Sequence, residues 1–362
     1  MKRIAANDSR LVYCGRIDYL EETKPLMIYS ASFVRIRFSG ARLAVVLKNK
    51  HVYWENRMGL IVDGVQSSFL LDESDEEKEY VLFDKSANDR DNAEDVHDIL
   101  LFKRMDSCHS VRVCEFITDD EGTLLQAEPL SERKIEVYGD SVSCGEVAEA
   151  VWRVGQVDPE HKGEYSNSYC SYAWIAARSL NATLHNVSQG GIALRDHTGW
   201  FLEPDYPGVE SCYNKLNYNY NLGPLTEWDF SQYTPNIVIF AFGQNDNHPV
   251  DYMADDYEGA EGQKWRATYK ELLEKLMKIY PKATFILTTT ILQHHPNWDR
   301  AIEEVTELVN EGVEAENKRV YHFLYTRNGS GTPGHIRTPE AEEMARELVA
   351  YIDGLGSKVW EN

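Results

Sequence analysis

The first 130 residues alternate. In Phe33-Val34-Arg35-Ile36-Arg37-Phe38 apolar and basic side chains fall on opposite sides of an extended chain, and the pattern resumes after Ser39-Gly40 from Leu43 to Leu47. Leu60-Ile61-Val62 runs into the turn pair Asp63-Gly64, and a further run spans Val65 to Leu71. Tyr80 to Phe83, Asp98 to Phe102 and Ser110 to Cys114 continue the series. Short, evenly spaced strands predict an all-β sandwich over residues 1–130. The acidic stretch Asp72 to Glu79 reads as a solvated loop, and Ala127 to Arg133 as a linker.

From residue 131 to 362 the texture becomes strand–helix alternation. Five strands are predicted: one ending at Tyr138, then Thr183 to Val187, Asn236 to Phe242, Thr284 to Thr288 and Val320 to Leu324. The run Asn236 to Phe242 is almost continuously apolar, as a strand buried on both faces must be. Helices are read over Ser168 to Leu180, on the stripe Trp265, Tyr269, Leu272, Leu276 and Tyr280, and on the stripe Ile302, Val305, Leu308, Val309 and Val313. A last helix is read with Thr338 at its cap and Pro339 in its first turn. The expectation is a mostly parallel sheet with helices on both faces, in a second, α/β domain.

Composition narrows the function. A length of 362 residues suits two domains. The net charge of −22 opposes binding to nucleic acid or to an anionic membrane. No apolar run reaches transmembrane length, and the start MKRIAANDSRLVYCG lacks a secretory apolar core, which predicts a cytoplasmic protein. Six cysteines without a C-x-x-C pair read as reduced, mostly buried thiols. His294-His295 reads as loop surface, and no metal or cofactor is called for.

In an open parallel sheet, ligands gather outside the carboxyl ends of the strands. Four polar segments fall there: Gly139-Asp140-Ser141, Gln189-Gly190-Gly191, Gly243-Gln244-Asn245-Asp246, and the loop Asn328 to His335. A serine hydroxyl, freed backbone N–H groups, an asparagine amide and a histidine are the parts of an acyl-transfer site. Asp140 and Asp246 read as turn-forming and Cys144 as a packing residue. Ser141 as a plain turn serine and His335 as a surface histidine are the bland alternatives.

The blocks GDSVSCG, NVSQGG, FGQND and TPGHIRTPEAEEMA resemble the SGNH (GDSL-like) hydrolases. A β-sandwich ahead of them resembles carbohydrate esterase family 2, the acetylxylan and acetyl-oligosaccharide esterases. The resemblance implies a jelly-roll-like N-terminal domain and a flavodoxin-like three-layer α/β/α catalytic domain. It implies Ser141 as nucleophile, His335 as base, and the N–H groups of Ser141 and Gly191 with the Asn245 amide as oxyanion donors. The superfamily usually carries an aspartate three residues before the histidine, where this chain has Thr332. The resemblance therefore implies a Ser-His dyad, with a backbone carbonyl of Gly331 to Gly334 free to orient the ring. A carboxylate hydrogen-bonded to His335 would overturn that.

The aromatic segment Gly199 to Tyr233 lies between the second and third strands, where it can fold over the active edge. Trp200 and Trp228 are the expected sugar platforms, with Gly190 and His248 lining the pocket. The resemblance implies O-deacetylation of xylan-derived oligosaccharides. Another small ester, or carbohydrate binding without catalysis, are the competing functions. The sandwich is expected to pack or to oligomerise.

Overall fold

The computed structural model describes residues 1–85 and 96–361. The alternating N-terminal runs form two antiparallel sheets. One joins Ile17–Asp18, Leu26–Met27, His109–Thr118, Arg42–His51 and Glu77–Asp84 in that order, with Lys2–Ala5 also on His109–Thr118. The other joins Thr123–Leu125, Phe33–Ser39, His97–Lys103, Arg57–Val62 and Val65–Leu70, with Val12–Cys14 on Phe33–Ser39. The period-two pattern decides which side chains turn inward. Val34, Ile36 and Phe38 are fully buried, and they share a core with Val45, Leu47, Val111 and Val113 of the facing sheet. The acidic stretch is only partly a loop: from Glu77 onward it is strand, its carboxylates tied to Lys24 and Arg42.

The second half holds one parallel sheet in the order Thr183–Ser188, Lys134–Gly139, Ile237–Ala241, Thr284–Thr288, Val320–His322. In chain order that is 2-1-3-4-5, the flavodoxin-like arrangement. Ala260–Ile279 and Asn297–Val309 cover one face through Trp265, Tyr269, Leu276, Ile302 and Val305. Tyr172–Ser179 and Thr338–Gly354 cover the other through Ala173, Ala177, Met344 and Leu348. The last helix starts one residue earlier than read: its cap is Arg337, whose backbone N–H donates to Glu340 at 2.9 Å.

The two halves share packing. Phe33 of the sandwich stacks on Trp174 with ring centroids 5.8 Å apart, and Cys14 and Phe102 join the same core. Arg16 reaches across, fully buried, donating to Glu136 at 3.1 Å, the Tyr138 hydroxyl at 2.8 Å and the Tyr213 carbonyl at 2.7 Å. Removing one partner of a buried ion pair leaves an uncompensated charge, at a cost of about 3–5 kcal/mol. Arg16→Met is accordingly expected to lower the midpoint of urea unfolding, because Glu136 then keeps the Tyr138 hydroxyl but loses the Arg16 cation. An unchanged midpoint would show that the pair adds nothing to the docking.

Candidate active site

The order 2-1-3-4-5 reverses between the first strand and its two neighbours, and the crevice opens at that point. Ser141 sits there, directly after Lys134–Gly139, as the first residue of the short helix Ser141–Cys144. Asp140 caps that helix, accepting from Val142 N–H at 3.0 Å and from Gln244 Nε2 at 2.6 Å, with burial pushing its carboxyl up to about 6. Asp246 likewise organises a loop, accepting the Leu194 and Arg195 N–H groups. Cys144 is buried, as a packing residue should be, and all six thiols are free.

His335 meets the serine. Its Nε2 lies 2.7 Å from Ser141 Oγ, although 194 residues separate the two in sequence. Its Nδ1 lies 2.6 Å from Asp158 Oδ2. The dyad expectation is thereby corrected: a carboxylate, not a carbonyl of the Gly331 to Gly334 loop, orients the ring. An ionised carboxylate only accepts, so Nδ1 carries a proton, and once the ring is neutral Nε2 is free to accept from the serine hydroxyl. Asp158 is itself fixed. Its Oδ1 accepts the His335 backbone N–H at 3.0 Å and the buried Arg337 guanidinium at 2.8 Å. Burial raises the Asp158 carboxyl, but the His335 and Arg337 contacts outweigh it and hold it near 2.

Burial pulls His335 down, yet the charges of Glu146, Asp158 and Asp140 and the Asp158 hydrogen bond raise it to about 9. Glu146 was not anticipated from sequence. Its Oε2 lies 3.9 Å from His335 Nε2, on the same cavity wall as Ser141.

Three donors face the serine. The N–H groups of Ser141 and Gly191 have no protein acceptor among the described residues. Asn245 Nδ2 uses one proton on the Ile192 carbonyl at 3.0 Å, and its second meets only a long 3.4 Å contact to Asp140. Gly191 has φ +73°, and a Cβ there would approach Trp200 Cβ to 2.9 Å, so the position admits glycine alone. The N–H of Gly190 is taken by Asp106 Oδ2 at 2.7 Å, and that same oxygen accepts Gln189 Nε2 at 2.8 Å. Asp106 belongs to the sandwich half. The sandwich therefore shapes the donor loop and also supplies Val52, Tyr53 and Trp54 to the cavity wall.

The cavity is about 570 Å³ and is flanked by Trp54 and Trp200. Trp200 is 60% exposed, as a platform requires. Trp228 is 6% exposed and packs against Arg16 and His185, so it is a core residue, with the Arg16 cation 5.3 Å from its ring centre. His248 does not line the cavity but stacks on the Trp200 ring, with centroids 3.4 Å apart. His294 is no loop-surface residue: its side chain is buried, with Nδ1 on the Leu292 carbonyl and Nε2 on Asp299. A larger groove of about 740 Å³ runs between the domains past Phe33, Leu130 and Trp174, and it holds none of these groups. No helix among the described residues is long and apolar enough to cross a membrane.

Residues 13–128 match the carbohydrate esterase 2 N-terminal domain. The chain is 28% identical over 351 residues to the cellulase/esterase CelE of Acetivibrio thermocellus, which covers 94% of this chain and 39% of CelE. The chain thus spans about two fifths of that relative. It is 25% identical to an acetylxylan esterase / glucomannan deacetylase of Cellvibrio japonicus, covering 96% of this chain and 90% of the relative. The structure of a family two carbohydrate esterase from Clostridium thermocellum, solved with cellohexaose, superposes with a TM-score of 0.78 at 26% identity, over 97% of this chain and 99% of that one. The N-terminal match continues as a likeness through the parallel sheet, so the chain is similar over nearly its whole length to family two carbohydrate esterases.

Proposed function

We propose that the chain, with residues 1–130 and 131–362 as its domains, is a serine esterase that removes O-acetyl groups from plant-polysaccharide-derived carbohydrate. The carrying observation is His335, hydrogen-bonded on one nitrogen to Ser141 and on the other to Asp158 within an aromatic-flanked cavity. Ser141 Oγ attacks the acetyl carbonyl as His335 Nε2 takes its proton. The oxyanion is held by the N–H groups of Ser141 and Gly191 and by Asn245 Nδ2. Asp158 stabilises the imidazolium. His335 then protonates the leaving sugar oxygen, and water releases acetate from the acyl-enzyme. The exposed Trp200 ring offers an apolar face to a sugar. The Cellvibrio japonicus relative is an acetylxylan esterase / glucomannan deacetylase, which supports the same substrate class here. Six free thiols accord with a reducing compartment, and hence with imported oligosaccharides as substrate.

The test is acetate release from acetylated xylo-oligosaccharides, set beside a long-chain ester. Preference for the long-chain ester would move the substrate class to lipids.

The pH profile follows from the base. Nε2 can take a proton only when the imidazole is neutral, and His335 holds its proton up to about 9. The value of kcat/KM for 4-nitrophenyl acetate is expected to climb from pH 7 toward pH 9. An apparent pKa at or below the ordinary histidine value of about 6.5 would contradict the acidic surroundings described.

A further inference from the structure

Among the described residues, four carboxylates surround the reacting groups, and three are hydrogen-bonded within the protein. Asp158 is held by His335 and Arg337, Asp140 by Val142 N–H and Gln244, and Asp106 by Gly190 N–H, Gln189 and Cys108 N–H. Glu146 differs. Its side chain is only 13% exposed, yet its carboxyl has no hydrogen-bond partner among the described residues. A carboxyl this enclosed, unpaired by protein and opening on the cavity, is placed to take a partner from the ligand.

The backbone fixes where that carboxyl points. Gly145 ends the Ser141–Cys144 helix with φ +76°, and the Glu146 N–H donates back to the Ser141 carbonyl at 3.0 Å. Glu146 Oε2 then lies 3.9 Å from His335 Nε2 and over Gly190, where a Cβ would come within 2.9 Å of it. His335 Nε2 is the atom that protonates the leaving sugar oxygen. A group beside Nε2 is beside that oxygen, and on a pyranose ring the hydroxyl of the neighbouring carbon lies on the same edge.

Resting on the esterase reading above, we propose that Glu146 is a specificity-determining residue that hydrogen-bonds the free hydroxyl next to the acetylated oxygen of the leaving sugar. Burial raises its carboxyl; His335 lowers it, and the charges of Asp106, Asp158 and Asp140 raise it again, to about 7. Near neutrality the group is therefore able both to donate and to accept. The substrate favoured is a partly acetylated sugar with a vicinal diol half-esterified, rather than one acetylated on both neighbours.

The experiment uses the full chain and methyl xylosides acetylated once, at O2 or at O3, beside analogues with the neighbouring hydroxyl replaced by hydrogen. Acetate release gives kcat/KM for each. A hydrogen bond to a carboxyl group contributes about ten- to a hundredfold, which is the ratio expected for wild type between hydroxylated and deoxy substrates. In Glu146→Ala the ratio falls to near one, and Glu146→Gln, which keeps shape and a hydrogen-bonding oxygen, retains part of it. A wild-type ratio near one overturns the assignment without any variant. So does an unchanged ratio in Glu146→Ala. If wild type cleaves 4-nitrophenyl acetate but neither class of xyloside, the carbohydrate reading itself fails, and the role of Glu146 falls with it.

Discussion

Ser141→Ala is expected to lower kcat on every ester by about 10⁶-fold, the loss seen when a triad nucleophile is removed and only transition-state donors remain. The structure gives the reason. No other hydroxyl among the described residues is hydrogen-bonded to His335, and Ser141 Oγ stands 2.7 Å from Nε2 at the switch point of the sheet. The Ser141 N–H is a backbone group and survives the substitution, as do Gly191 and Asn245, so binding of a small ester is retained while turnover is lost. Release of 4-nitrophenol from 4-nitrophenyl acetate measures it. Equal rates for variant and wild type would remove Ser141 from the mechanism.

The second large effect concerns Asp158. Asp158→Asn is expected to reduce kcat by about 10⁴-fold with the fold intact, because an amide at that place stabilises the wrong imidazole tautomer. With its NH₂ turned toward His335 Nδ1, the ring keeps its proton on Nε2 and cannot accept from Ser141. The result separates two readings of one chain. Thr332, where an aspartate usually stands, implies a dyad that is indifferent to Asp158. The 2.6 Å contact between Asp158 and His335 implies a triad. A loss smaller than about tenfold would favour the dyad. Because Arg337 also binds Asp158, the thermal midpoint of the variant is to be measured beside its rate.

Sequence carried the frame of the site and left out its buttresses. The segments that carry Ser141, Gly191, Asn245 and His335 were legible because each follows a strand, or precedes a helix, that periodicity reveals; which residue serves within each came from the family resemblance. The sheet topology then has little choice but to gather them. Asp158 follows an irregular stretch containing only the short turn of helix Val151–Arg153, and its histidine comes 177 positions later. Nothing local marks it, and the motif position at Thr332 directed attention elsewhere. Glu146 lies close to Ser141 in sequence, but its importance depends on the left-handed turn at Gly145 that aims it back at the cavity. Asp106 was hidden by the domain division itself, since a sandwich residue is not sought in a hydrolase loop. Trp200 and Trp228 belong to one aromatic-rich segment and had opposite fates. A flat ring serves a sugar or a buried cation equally well, and only the fold told which, through Arg16 beneath Trp228.

The bond from Asp106 to the Gly190 N–H makes the N-terminal half a working part of the catalyst rather than a passenger. A chain cut between the halves keeps nucleophile, base and acid, yet its donor loop loses the acceptors that shape it. Activity is accordingly expected to report on docking: a change that loosens the seam should slow turnover before it unfolds the chain.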